Sequence, residues 1–210
     1  MLEPVVFLVD DDSAVRDSLS LLIHSIGLKV AAFERPQQFL DQYHPQQVGC
    51  LLLDIRMPNV SGLTFQEALN DIGFSIPIIF ITGHGDVAQC SRAFRAGAAD
   101  FLTKPIDEHE LIESVQKAIA TSVARQAASE SNAAERKKLA LLTPREREVL
   151  AMVADGMSSK MIARALDLSL RTVESYRAKV FEKLEVNSLA ECVKIQLAAR
   201  NPLNAAPAAG

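Results

Sequence analysis

Val5-Val6-Phe7-Leu8-Val9-Asp10-Asp11-Asp12 passes from five apolar residues directly into three carboxylates. A strand apolar at every position belongs in a sheet covered on both faces, because a strand with one wet face alternates apolar and polar residues. The pattern recurs at Val30-Ala31-Ala32-Phe33, at Cys50-Leu51-Leu52-Leu53 before Asp54, at Pro77-Ile78-Ile79-Phe80-Ile81 before Thr82, and at Ala99-Asp100-Phe101-Leu102. Amphipathic stretches lie between these runs. In the first of them, Leu19, Leu22, Ile23 and Ile26 recur at helical spacing, with Ser13 as the expected N-cap. Alternating strands and helices make parallel βαβ units, so residues 1–122 are predicted to form an α/β doubly wound domain. Functional groups in such a sheet gather at the carboxyl ends of its strands.

Those ends carry polar side chains: Asp10-Asp11-Asp12, Asp54, Thr82 and then Lys104-Pro105. Clustered carboxylates repel one another unless a cation compensates, and hard oxygen donors suit Mg²⁺. One carboxylate beside such an ion can attack phosphorus while the metal neutralises the phosphoryl oxygens. Lys104 offers a compact positive charge and Thr82 a hydroxyl donor. Asp12 is read as a helix cap outside the site, and His84 and His109 receive no role.

Asp-Asp after the first strand, Asp54-Ile55-Arg56-Met57-Pro58, Gly62, Thr82 and Lys104-Pro105 together resemble the receiver domain of bacterial response regulators. The resemblance implies a flavodoxin-like five-stranded parallel sheet of order 2-1-3-4-5. It also implies that Asp54 accepts a phosphoryl group from a sensor histidine kinase. Asp11, Asp54 and the Arg56 carbonyl would ligate Mg²⁺ (or Mn²⁺), with Asp10 reaching it directly or through water, Thr82 and Lys104 would bind the phosphoryl group, and the Lys104–Pro105 bond would be cis. Phe101 stands where the family has an aromatic switch working with Thr82, with a plain core aromatic nearly as good a reading of that residue.

Hydrophobic residues make up 49% and charged residues 23% of the 210-residue chain, as in ordinary globular protein. No apolar run approaches the roughly 18 residues of a membrane span, so a cytoplasmic protein without membrane contact is expected. The three cysteines, Cys50, Cys90 and Cys192, are widely spaced among apolar residues and read as small core residues. Residues 1–122 hold 8 Lys+Arg against 16 Asp+Glu, and residues 123–210 hold 14 against 10. An acidic half is thus joined to a basic one, which points the second towards nucleic acid. Residues 123–140 lack Gly and Pro and are rich in Ala and charge, which predicts a helical linker continuing the fifth helix. The Ala/Pro/Gly tail, 201–210, is expected to be disordered.

Residues 141–200 are read as an all-α domain. Thr143-Pro144-Arg145-Glu146 combines an N-cap, a first-turn proline and a capping box, and Gly156 can end the helix in a left-handed conformation. Helices at about 158–166 and 170–184 flank the break Asp167-Leu168-Ser169, which makes a helix-turn-helix. The second has an inward stripe of Val173, Val180 and Leu184, flanked by Tyr176 and Phe181, and a basic outer face suited to a major groove.

Leu142-Thr143-Pro144-Arg145-Glu146, Lys160-x-Ile162-Ala163, Arg171-Thr172-Val173-Glu174-x-Tyr176-Arg177-x-Lys179-Val180 and Lys183-Leu184 resemble the LuxR-type DNA-binding domain. The resemblance implies that Lys160, Thr172, Arg177 and Lys179 contact phosphates, that Glu174, Ser175 and Ala178 face bases, and that Val193 and Ile195–Leu197 border a dimer face. Receiver plus LuxR-type output defines the FixJ/NarL class of response regulators. Membership implies promoter DNA and RNA polymerase as partners, a homodimer on phosphorylation, and control of transcription, with activation the expected sign. Two other readings compete. A phosphohydrolase with an aspartyl-phosphate intermediate would place an acid-base carboxylate two residues after its nucleophile, where this chain has Arg56, and would carry a cap insertion, which is lacking. A phosphorylation-independent interaction module would not need the full set Asp11, Asp54, Thr82 and Lys104.

Overall fold

The computed structural model describes residues 3–58, 60–83 and 87–200, with side chains to residue 196. His84 and the tail 201–210 therefore lie outside the described residues. The chain divides into two compact units, Met1–Gln126 and Ala127–Gly210. Among the described residues no helix is long and apolar enough to cross a membrane.

In the first unit, strands β1 (Val5–Val9), β2 (Lys29–Phe33), β3 (Gly49–Asp54), β4 (Ile78–Thr82) and β5 (Asp100–Thr103) alternate with helices α1 (Ser13–Ser25), α2 (Pro36–Gln42), α3 (Gly62–Asp71), α4 (Val87–Arg95) and α5 (Glu108–Ala140). The sheet is parallel throughout, in the order β2-β1-β3-β4-β5. The apolar runs are continuous because odd and even residues feed opposite cores. Phe7, Val9, Leu51, Leu53 and Phe80 face Phe39 of α2, Leu63, Phe65 and Leu69 of α3 and Ala93 of α4. Val6, Leu8, Cys50, Leu52, Ile79 and Ile81 face Leu19 and Ile23 of α1 and Leu111, Val115 and Ala118 of α5. Each fully buried Leu or Ile in these layers contributes roughly 1.5–3 kcal/mol relative to exposure.

Of the two candidates for the α1 cap, Asp12 takes the role, as its reading as a helix cap implies: its side chain accepts the Ala14 N–H, and Ser13 is already the first helical residue. A carboxylate at the positive end of a helix is the stronger acceptor of the two. Near the end of the first unit, Ser122 accepts the Gly49 N–H at 3.1 Å and Arg125 donates to the Ser75 carbonyl at 2.8 Å.

Helix α5 is one helix from Glu108 to Ala140 and contributes to both units. The second unit then adds α6 (Pro144–Ala154), α7 (Ser159–Ala165), α8 (Leu170–Leu184) and α9 (Leu189–Arg200). Thr143 and Glu146 form the capping box, with the Thr143 N–H on Glu146 at 2.8 Å. Gly156 adopts φ +81°, the left-handed conformation that ends α6 at least steric cost. Val149, Val153, Ile162, Ala163 and Val173 pack together beneath the α7–α8 turn. Leu142, Leu150, Val180, Leu184, Cys192 and Ile195 form a second cluster, joined by Leu139. Ile195 packs into this core, while Val193 is half-buried and the side chain of Leu197 lies outside the described residues.

Candidate functional site

The register places Asp54 beside Ile81 and Thr82 beside Thr103, so the polar residues that end the apolar runs share one edge of the sheet. Asp10, Asp54 and Thr82 are buried there, with 1%, 5% and 1% of their surfaces exposed. Lys104 reaches in from the loop after β5, through a cis peptide bond to Pro105, and its N–H donates to the Thr82 carbonyl at 2.7 Å. Its ammonium donates to Asp10 Oδ2 at 2.8 Å and to Asp54 Oδ1 at 2.9 Å. Asp54 Oδ2 accepts the Arg56 N–H at 2.6 Å, and Asp10 Oδ1 accepts the Asp12 N–H at 2.9 Å. Asp10, Asp54, Thr82 and Lys104 are thus brought together from four strand ends.

Burial raises the Asp54 carboxyl above its ordinary value, and the Asp10 charge adds to that, against the lowering by Lys104 and the Arg56 N–H. Burial pulls the Lys104 ammonium down, but Asp10 and Asp54 together outweigh it and hold the pKa above the ordinary lysine value. The cluster therefore keeps one positive group between two costly buried negative ones.

Of the expected metal ligands, Asp10 and Asp54 stand together at Lys104 and Asp11 stands apart. Among the described residues no three acidic, His or Cys side chains gather around one point. Lys104 already compensates Asp10 and Asp54, while Asp11 is exposed and lines an open cleft with Ile55, Arg56, Met57, Ser61 and Gln89. The donor chemistry itself suits a small hard dication, since three carboxylates and a main-chain carbonyl supply only oxygen. Phe101 is half-buried, packs against the core on the α2–α4 side of the sheet, and lies 6.4 Å from the Phe80 ring.

Gly62 has a steric role beyond its place in the motif. A Cβ there would collide with the Asp54 carbonyl, so α3 can start this close to the acidic edge only with glycine. Gln66 belongs to no motif, yet it is buried, and its amide donates to the Ala93 and Ala96 carbonyls at 3.3 Å each, tying α3 to the end of α4. A polar residue inside the apolar stripe of α3 is the signal that marks it in the sequence.

In the second unit, Ser169 caps α8 by accepting the Thr172 N–H, and the Ser169 and Thr172 hydroxyls lie 2.7 Å apart. Lys160, Glu174, Ser175, Ala178 and Lys179 are exposed. Thr172 and Arg177 are half-buried, and the Arg177 guanidinium donates to Ser159 Oγ at 2.7 Å, bracing α8 against α7. Glu146, read as a capping residue alone, is 3% exposed and also takes the Lys183 ammonium at 2.7 Å. That pairing, 37 residues apart in sequence, left no local signal.

Residues 6–116 match the family described as response regulator receiver domain, and residues 140–196 match the family described as bacterial regulatory proteins, luxR family. The transcriptional regulatory protein TdiR of Thauera aromatica is 44% identical over 87% of this chain and 81% of its own length. The transcriptional regulatory protein FixJ of Azorhizobium caulinodans is 41% identical over 92% of each chain. Among solved structures, the response regulator StyR is 39% identical, with a TM-score of 0.82, over 93% of this chain and 98% of that one. The two family models fall on the two halves of the chain and together take in the sheet with its acidic edge and the helix-turn-helix. This protein belongs to the response regulators that join a receiver domain to a LuxR-type DNA-binding domain, and it is a transcriptional regulator.

Proposed function

We propose that Asp54 is the phosphoacceptor and that its phosphorylation by a sensor histidine kinase promotes dimerisation and sequence-specific binding of promoter DNA. The observation that carries this reading is the Lys104 ammonium lying within 2.9 Å of both Asp54 and Asp10 at the sheet edge. An Asp54 oxygen attacks phosphorus, the N–P bond of the phosphohistidine breaks, and the electron pair returns to the imidazole nitrogen. Lys104 and the Thr82 hydroxyl then hold the phosphoryl oxygens, which are negatively charged and acceptor-only. Water later attacks phosphorus, releases inorganic phosphate and regenerates the carboxylate, so the chain turns over only its own phosphoryl group. Asp10, Asp11, Asp54 and the Arg56 carbonyl would hold Mg²⁺, with Mn²⁺ suited to the same donors. The bound ion would neutralise charge on the transferring group.

Phosphorylation adds about −1.5 to −2 charge to a pocket whose lysine is already shared. Thr82 moves towards the phosphoryl group, and the space it leaves lets the Phe101 ring turn inward. The signal is a population shift between two packings of the α4–β5–α5 face. Residues 1–122 serve as the phosphoacceptor domain, 123–140 as the helical connector, and 141–200 as the DNA-binding domain. On α8 and its neighbours, Lys160, Thr172, Arg177 and Lys179 contact phosphates, while Glu174, Ser175 and Ala178 face base edges. A dimer spans half-sites about 34 Å apart, engages RNA polymerase and activates transcription in the cytoplasm.

The test is to incubate the full chain with acetyl phosphate and Mg²⁺, map the labelled peptide, and follow dimerisation by light scattering. Label on the Asp54 peptide, absent in Asp54→Asn, with DNA affinity rising only in the wild type, is the expected result. Label elsewhere, equal DNA affinity of mutant and wild type, or multiple turnovers of a phosphate ester would overturn the proposal.

A further inference from the structure

The two ends of α8 are held differently. Its start is capped locally, by Ser169 and Thr172. Its end stops on Glu185 at φ 55°, ψ 44°, a left-handed position that favours glycine and strains a residue with a Cβ. The Glu185 N–H returns to Phe181 and Glu182, and the Val186 N–H to Phe181, which leaves the Leu184 carbonyl needing a donor. Lys138, in the last turn of α5, supplies it: the ammonium donates to the Leu184 carbonyl at 3.2 Å and to Glu185 Oε2 at 2.7 Å. A cation there also meets the negative end of the α8 dipole. The neighbouring residues add to the grip, since Leu139 packs into the cluster containing Leu184, and the Ala140 carbonyl accepts from Arg147.

We infer that Lys138 is a positioning residue for DNA binding: it fixes the C-terminal end of the DNA-facing helix α8 from outside the helix-turn-helix itself. This extends the reading of α8 as the DNA-facing helix and depends on it. Lys138 acts through protein groups, so its loss weakens binding without removing a phosphate contact. Loss of a direct phosphate contact instead lowers the steepness of log affinity against log salt by about one.

The experiment uses the phosphorylated full chain and a duplex recovered from a random-sequence library by selection with the wild type. Lys138→Gln is expected to bind about fivefold more weakly with an unchanged salt slope, and Lys138→Arg to recover most of the loss. Glu185→Gly keeps the left-handed turn while deleting the ion pair. It should weaken binding about threefold, and the double variant should be no worse than Lys138→Gln. This second variant decides the matter if Lys138→Gln fails to fold. Affinity within twofold of wild type in Lys138→Gln, or in Glu185→Gly where that variant decides, overturns the inference, and so does a salt slope lowered by about one. As a control, Lys179→Gln should lower that slope. If it binds as wild type does, the reading of α8 is what fails.

Discussion

Replacing Asp54 by Asn should stabilise the receiver unit while abolishing its phosphorylation. Asp54 and Asp10 each accept from the same ammonium, at 2.9 and 2.8 Å, so their bonded oxygens lie no more than roughly 5.7 Å apart. At an effective dielectric near 20, two charges at that separation repel by about 3 kcal/mol, against about 6 kcal/mol of attraction between Asp54 and Lys104. Holding a carboxylate with 5% of its surface exposed costs a further several kcal/mol of lost hydration. The raised pKa of Asp54 gives the sign of the balance, since burial outweighs the lysine. The folded state therefore binds more protons than the unfolded state between the ordinary carboxylate pKa and the raised one. Stability falls as pH rises through that window, and the ionised form is the costly one at neutral pH. Asp54→Asn should gain about 1 kcal/mol there, or about 4 °C in Tm for a unit of this size. The gain should shrink as pH falls through the window. The assay is thermal and urea unfolding followed by tyrosine fluorescence. The chain has no Trp and two tyrosines, Tyr43 in the first unit and Tyr176 in the second, so a Tyr176→Phe background reports the receiver alone. An Asp54→Asn variant destabilised by 1 kcal/mol or more at pH 7 would refute the reasoning, because Lys104 would then outweigh burial.

Gly62→Ala should cost about 1–3 kcal/mol and slow labelling by acetyl phosphate, because the new methyl meets the Asp54 carbonyl and the Ile55 Cα; unchanged midpoint and labelling rate would contradict the close approach. Lys183→Met should cost the second unit about 2 kcal/mol, less than the roughly 3–5 kcal/mol of a fully buried pair, because 35% of the lysine side chain stays exposed. Lys183 and then the Thr143 N–H hold Glu146 below the ordinary carboxylate range, so this stabilisation is complete above the unfolded pKa and lost as pH falls through the folded one. Denaturation curves of mutant and wild type should accordingly converge in acid, and a constant gap would count against the ion pair. Burial pushes the Cys50 thiol up to about 12, so iodoacetamide should label half-buried Cys90 first in the native chain at pH 8. Equal labelling rates, read by peptide mass, would show that β3 opens.

Local chemistry made much of this protein legible in its residues. The apolar runs imply a sheet covered on both faces because burial leaves no polar position in four of them, Asp100 interrupting the fifth. Thr143, Pro144, Glu146 and Gly156 mark α6 because capping bonds close within three residues and glycine suits the left-handed turn. The strand-end residues Asp10, Asp54, Thr82 and Lys104 could be singled out by type and place. Tertiary structure alone decided how they meet. Lys104 joins Asp10 across 94 residues and Asp54 across 50, while Asp11 stays exposed. The same holds in the second unit, where Glu146 finds Lys183, Lys138 finds Leu184, Arg177 leans on Ser159 and Ile195 enters the core. The physical reason is range. Periodicity and capping are settled by a few neighbouring dihedrals, whereas a long side chain in a charged cluster has several partners of the right sign, and the packing of distant elements selects among them.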